Sequence, residues 1–226
     1  MATAQKLSVL LVDDDQRFRQ GVRTLLDFYS FNGSLLLDVV GEAASVERVL
    51  SLTAQQCPAL ILLDLELATG NGITALVRLK EISYTGKVLV LSAHQEDDWI
   101  FQAMQAGAAG YVFKSRLAIQ LYEAITTVLN SEIYLPADAA SGFFRRFQAD
   151  SESSIQARQH LHLTEREQEV LHWLTQGASN EEIAKYLYVT VATVKAHLTS
   201  IFEKLKVTSR TQAVVAALKL GLIQAQ

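Results

Sequence analysis

Four places in this 226-residue chain hold side chains suited to work on a charged substrate. They are Asp13, Asp14 and Asp15 in "LVDDDQRF", Asp64 in "LILLDLEL", Ser92 in "VLVLSAHQ" and Lys114 in "YVFKS". Each ends or follows a short apolar run. Two ionised carboxylates about 4 Å apart repel by roughly 4 kcal/mol at an effective dielectric near 20, so a cluster of them needs a compensating cation. Mg²⁺ suits that role: it takes oxygen ligands, keeps several waters and is usually held by one or two carboxylates together with phosphate oxygens. A carboxylate so placed can act as a nucleophile toward phosphorus, with cations neutralising the transferred group. Any one of these Asp residues alone reads most simply as a helix cap or turn former, and a lone lysine as a solvated one. Their joint position argues for a site.

The four places meet only if the fold brings them together, and the apolar pattern predicts that it does. Lys6–Val12, Asp38–Gly41, Ala59–Leu63, Lys87–Ser92 and Gly110–Phe113 are short runs rich in Val, Leu and Ile. Between them Gln16–Phe28, Ser45–Gln55, Gly72–Glu81, Asp97–Ala106 and Leu117–Asn130 carry apolar residues at helical spacing. Such alternation predicts an α/β fold, a doubly wound five-stranded parallel sheet with right-handed crossovers. The fully apolar run Leu60–Leu63 fits a sheet covered on both faces. Ligands of such folds collect beyond the carboxyl ends of the strands, where Asp13–Asp15, Asp64, Ser92 and Lys114 all stand.

Composition limits the alternatives. The longest apolar stretches fall far short of the roughly 20 residues that span a bilayer, and Met1–Ser8 lacks a signal peptide's apolar segment. A soluble, cytoplasmic protein without a membrane partner is expected. The single cysteine, Cys57, cannot pair internally and reads as a small filler before a strand. Residues 1–135 carry 10 Lys and Arg against 15 Asp and Glu, whereas residues 161–226 carry 7 against 6. An acidic first part and a slightly basic last part suggest two bodies with different partners.

The segments "SVLLVDDD", "LILLDLELATGNG", "VLVLSAHQEDD" and "GAAGYVFKS" resemble the receiver domain of bacterial response regulators, in order and spacing over nearly all of the first 130 residues. The resemblance implies a flavodoxin/CheY-like fold in which Asp64 accepts a phosphoryl group from a histidine kinase. It places Asp13, Asp14, Asp64 and the backbone carbonyl of Glu66 on Mg²⁺, Ser92 and Lys114 on the new phosphate, and Tyr111 at an aromatic switch position. Ser92 moving toward the phosphate would then open room for Tyr111 to turn inward, although Tyr111 taken alone reads equally as an ordinary core or surface aromatic. Asp15 reads as a helix N-cap. Leu67-Ala68-Thr69 stands where the family commonly has Met-Pro-Gly, and Ser115 where Pro or Asp usually follows the lysine; neither change removes a ligand. The stretch "FYSFNGSLLL", Phe28 to Leu37, is longer and more apolar than usual, as an extended helix end or a partner surface.

From Pro136 to His160 the periodicity fades into an Ala-, Ser- and Gln-rich linker with some helical character, in which Phe143, Phe144 and Phe147 are expected to pack on a domain face or to carry an inter-domain contact. The domain boundaries are thus expected at 1–135, 136–160 and 161–226. The last part reads as all-α. Thr164-Glu165-Arg166-Glu167 and Ser179-Asn180-Glu181-Glu182 are capping boxes, Gly177 closes the first helix, and further helices run from about Val191 to Leu205 and from about Ser209 to Leu220. This is a helix-turn-helix pattern. Val194, Leu198, Ile201 and Leu205 form a core stripe, leaving Ala192, Lys195, Ala196 and Thr199 on a face able to enter a major groove. Thr193, His197, Lys204, Lys206 and Arg210 surround it as possible phosphate contacts.

"LTEREQEVLHWLTQGASNEEIAKYLYVTVATVKAHLTSIFEKLKVTSRTQAV" is similar to the LuxR-type DNA-binding domain over nearly every position. Receiver, linker and this domain together resemble the NarL/FixJ family, which implies a transcription regulator rather than an enzyme, binding double-stranded promoter DNA at paired half-sites as a homodimer when active. By that resemblance Lys195, Ala196 and Thr199 read bases, Thr193, His197 and Arg210 contact the backbone, and Val214, Val215 and Leu218 serve dimerisation or the internal core. Two rivals stand beside it. One is a regulator whose receiver acts without phosphorylation, in dimerisation or ligand sensing. The other is a Mg²⁺-dependent aspartyl phosphatase of the haloacid dehalogenase type, whose Asp-x-Asp-x-Thr/Val motif is not met by Asp13-Asp14-Asp15-Gln16-Arg17.

Overall fold

The computed structural model describes residues 6–32, 35–151, 163–220 and 222. Five strands, β1 (Lys6–Val12), β2 (Leu36–Ala43), β3 (Leu60–Leu63), β4 (Lys87–Ser92) and β5 (Gly110–Phe113), form one sheet in the order β2-β1-β3-β4-β5, with every neighbouring pair parallel. The helices α1 (Gln16–Asn32), α2 (Val46–Gln56), α3 (Gly72–Glu81), α4 (Asp97–Ala106) and α5 (Leu117–Leu129) connect and cover them. Alternate residues of β1 feed the two faces: Val9 and Leu11 enter the core under α1 and α5, while Leu10 and Val12 enter the one under α2, α3 and α4. All four residues of β3 are buried, as a central strand covered on both sides requires.

The predicted elements hold to within a few residues. α1 runs on to Asn32 and β2 begins at Leu36, so Phe28 to Leu37 is in large part a helix end and a strand start, with Phe28 and Phe31 exposed. Cys57 differs from expectation: it is an exposed left-handed cap of α2, not a filler. The first part of the predicted linker has the helical character expected of it. Ala137–Ser151 is a helix, α6, packed on α4, with Phe143 buried against Phe101 at 5.7 Å between ring centroids and Phe144 half exposed. Arg145 and Arg146 pair with Asp97 and Asp98 at 3.0 and 2.7 Å. A loss of periodicity marked this segment as linker because its buried face is narrow. Residues 152–160 and the side chain of Phe147 lie outside the described residues.

The C-terminal part holds α7 (Glu165–Thr175), α8 (Asn180–Tyr186), α9 (Val191–Leu205) and α10 (Arg210–Lys219) around a separate core that includes Val170, Leu174, Ile183, Val194, Leu198 and Ile201. Both capping boxes form: Thr164 with Glu167, and Ser179 with Glu182. Gly177 takes φ 82°, ending the turn after α7 in the left-handed region.

Glu167 does more than cap α7. Burial raises the pKa of its carboxyl, but bonds from Lys204 Nζ (2.6 and 2.8 Å), Ser200 Oγ (2.6 Å) and the Thr164 backbone N–H (2.7 Å) outweigh it, bringing the pKa down to about 2. The folded pKa lies below that of the unfolded chain, so the stabilisation is fully present above about pH 4.5 and lost as pH falls through about 2. Glu167→Gln is expected to destabilise this domain by about 2–3 kcal/mol at neutral pH, less than a fully buried pair because Lys204 is partly solvated. It is also expected to flatten the acid limb of a denaturation profile, measured by far-ultraviolet circular dichroism.

Candidate phosphoacceptor site and nucleic-acid interface

Because all five strands are parallel, their carboxyl ends share one edge, and there the predicted acids and cation meet. Asp13 and Asp64 are 3% and 2% exposed, while Asp14 is open to solvent. One oxygen from each of the three lies within 4.8 Å of the others. Lys114, opening a single 3-10 turn after β5 (Lys114–Arg116), reaches across with Nζ 2.7 Å from Asp13 Oδ2 and 2.6 Å from Asp64 Oδ2. It also lies 4.4 Å from the ring centroid of Phe18.

Burial works against the Lys114 ammonium, but its bonds to Asp13 and Asp64 prevail and hold its pKa above the usual lysine value. For Asp13 burial prevails over the Lys114 bond and raises the pKa, with the neighbouring Asp64 adding to the rise. Asp64 Oδ1 is buried with no hydrogen-bond partner. A buried carboxylate oxygen left free beside two further carboxylates is the donor set of a hard divalent cation, so these residues fit Mg²⁺.

The backbone around the site is held by groups the sequence reading passed over. Arg19 Nη1 donates to the carbonyls of Asp13 (2.6 Å) and Asp14 (3.4 Å), and Arg19 and Arg23 both bind the Glu42 carboxylate at the end of β2. The two arginines, through their hydrogen bonds, keep the Glu42 pKa below the usual range. Arg19 and Arg23 at i, i+4 on α1 were the available signal, but their partner comes from a non-adjacent part of the chain. Asp15 caps α1 as expected, accepting from the Arg17 and Phe18 amides. A Cβ on Gly72 would collide with the backbone of Asp64 and Leu65, so only glycine lets α3 start this close to the loop after β3.

Ser92 is fully buried at the end of β4, its Oγ accepting from the His94 amide at 3.2 Å. Tyr111 is fully buried too, and its hydroxyl donates to the His94 carbonyl at 3.0 Å. Burial raises the Tyr111 pKa to about 12. The ring is thus packed inward in this structure: β5 centres it in the core and the loop after β4 closes over it. His94, between Glu66 Oε1 (3.2 Å) and Glu96 Oε2 (3.4 Å) and stacked on Trp99, joins that loop to the one carrying Glu66.

In the C-terminal domain Lys195, Ala196 and Thr199 are exposed on α9, with Lys206 exposed just beyond it, while Thr193 and His197 are half-buried. Two expected phosphate contacts are otherwise engaged. Lys204 is committed to Glu167, and Arg210 is 8% exposed, donating to the carbonyl of Ala178 and to Asn180 Oδ1 (3.4 Å). A sequence shows that a cation sits near a helix start but not whether it points outward. Val214 packs in the C-terminal core, whereas Val215 is buried in the receiver-side core and Leu218 packs against it. Gln212 Nε2 donates to the carbonyl of Ala106 at 3.2 Å. In this structure α10 thus faces α4 and α6.

Residues 9–126 match the family described as response regulator receiver domain, and residues 161–217 that described as bacterial regulatory proteins, luxR family. The chain is 32% identical to the transcriptional regulatory protein DegU of Brevibacillus brevis, over 97% of this chain and 96% of that protein. It is 34% identical to the response regulator VraR of Staphylococcus saprophyticus, over 96% and 99%. A two-component response regulator of the LuxR family from Aurantimonas sp. superposes with a TM-score of 0.56 at 27% identity, covering 63% of this chain and 98% of that one. RcsB of Salmonella typhimurium shares the fold, with a TM-score of 0.56 at 20% identity over 93% and 97%. No helix among the described residues is long and apolar enough to cross a membrane.

Proposed function

Since this chain belongs to the NarL/LuxR family of two-component response regulators, we propose that it is a DNA-binding transcription regulator switched by phosphorylation of Asp64. The observation that carries the reading is the position of Lys114 Nζ between two buried carboxylates, beside the unpartnered Oδ1 of Asp64. In the transfer from a histidine kinase, the N–P bond of a phosphohistidine breaks and an O–P bond to Asp64 forms, leaving a neutral imidazole and an acyl phosphate. Asp13, Asp14, Asp64 and the Glu66 carbonyl would hold Mg²⁺, which supplies charge neutralisation for the equatorial oxygens. Lys114 orients the acceptor and adds positive charge. Ser92 turns from the His94 amide to the phosphate, and the loop that Tyr111 anchors shifts with it.

α4 follows that loop directly and touches both α6 and α10, so a shift there bears on the C-terminal domain. Release of α10 would free Val215 and Leu218 for a second copy and leave Lys195, Ala196, Thr199, Thr193, His197 and Lys206 for DNA, at half-sites about 34–36 Å or a multiple apart. The relatives are regulators rather than enzymes, in keeping with this reading. Intact mass after incubation with Mg²⁺ and acetyl phosphate is expected to show one phosphoryl adduct in the wild type and none in Asp64→Asn. No adduct in the wild type, with donor and metal active on a control receiver, would favour a receiver that works without phosphorylation.

A further inference from the structure

On the far side of the receiver from the acidic site, a cleft of about 340 Å³ lies between the two domains. Three cations from separate elements border it: Lys87 at the start of β4, Lys195 on α9 and Arg210 at the start of α10. Among the described residues Glu132 is the only acid on its wall. Among the described residues none of the three cations has an ion-pair partner within 4.0 Å, and the bonds of Arg210 go to neutral oxygens. Thr211 stands on the same wall, 2% exposed, with its Oγ1 buried and without a hydrogen-bond partner.

Two of these cations sit where holding a charge is costly. Burial, aided by the charge of Arg210, holds the Lys87 pKa below the lysine value, and burial brings Arg210 down to about 10 against the pull of Glu132. The start of α10 also borders the cleft through Ser209, Arg210 and Thr211, where the helix dipole favours an anion; the Ser209 side chain caps the Gln212 amide. Two flexible ammonium groups, a planar guanidinium and a helix start together suit a group with several charged oxygens. The volume falls at the lower end of small-molecule sites, larger than a bare phosphate needs.

We propose that this cleft binds a small phosphate-bearing anion, of the pyrophosphate or phosphate-monoester class, that ties the DNA-binding domain to the receiver. Its competition with DNA rests on the reading of Lys195 as a DNA contact; the binding itself does not. A ligand that holds Lys195 in the cleft lowers DNA affinity, and DNA lowers ligand affinity by the same factor.

The test is calorimetric titration of the full chain with sodium pyrophosphate and, separately, glycerol 3-phosphate, in EDTA so that metal at the acidic site plays no part. Sulfate and chloride at matched ionic strength are the controls, since salt alone weakens DNA binding. One saturable site is expected. Loss of one charged hydrogen-bonding group makes Lys87→Gln bind about 10- to 100-fold more weakly. Removal of the only acid makes Glu132→Gln bind more tightly, so the proposal stays testable if the first variant folds poorly. Absence of saturable heat, equal binding by matched chloride, or unchanged affinity in both variants overturns the site. Fluorescence-polarisation DNA binding then separates the two claims: saturable binding without an effect on DNA affinity upholds the site and overturns its coupling to DNA.

Discussion

Lys114→Met is expected to destabilise the receiver by about 2–3 kcal/mol without metal and to reduce phosphoryl acceptance by Asp64 by two orders of magnitude or more. The first effect follows from what remains behind. Lys114 Nζ is the cation between Asp13 and Asp64, both almost fully buried, and methionine fills its volume without its charge. Removing one partner of a fully buried pair costs about 3–5 kcal/mol; the partial exposure of Lys114 reduces that figure here. Mg²⁺ binding among the same acids is expected to restore much of the stability, because it supplies the missing positive charge. It is not expected to restore the transfer rate, since the ammonium is positioned for a phosphoryl oxygen. Thermal melts with and without Mg²⁺, together with the rate of adduct formation, separate the two. A variant equally stable without metal would show that Lys114 is not what neutralises the buried acids.

The second large effect is expected where the domains meet. Val215 is 4% exposed in the receiver-side core, among residues that include Met104, Ala139 and Phe143. A carboxylate there would be buried without a partner, at a cost of several kcal/mol. The chain can avoid that cost by opening, because the C-terminal domain keeps its own core of Val170, Leu174, Ile183 and Ile201. Val215→Asp is therefore expected to part the domains rather than unfold either. Small-angle scattering should show a radius of gyration several ångström above the roughly 17 Å of a compact chain of this length. DNA binding by the unphosphorylated variant should tighten at least several-fold, since Lys195 and Thr199 leave the interdomain cleft. A single half-site is the probe, so that contacts through α10 between copies do not enter. An unchanged radius would mean that the domains are held by something other than this contact.

The sequence by itself determined the sheet and the edge on which Lys114 meets the acids. Apolar runs at strand length alternating with helical spacing leave a parallel sheet as the economical fold, and parallel strands place every carboxyl end on one edge. Asp13, Asp64, Ser92 and Lys114 are thus assigned to one edge by the strand pattern alone. Capping boxes at Thr164 and Ser179 set helix starts in the same local way, through bonds spanning three residues. Only the tertiary structure decided what depends on partners distant in the chain. Arg210 turned inward because the Ala178 carbonyl, far away in sequence, needed a donor; Lys204 was taken by Glu167, and Arg19 found Glu42. The helical character of α6 was legible, but its place on α4 was not, because its few apolar residues acquire meaning only against that helix; Tyr111 lies inside because the loop of His94 closes over it. Local periodicity and capping report on bonds within a turn or two; the direction of a long polar side chain is set by whichever distant group the fold leaves unsatisfied.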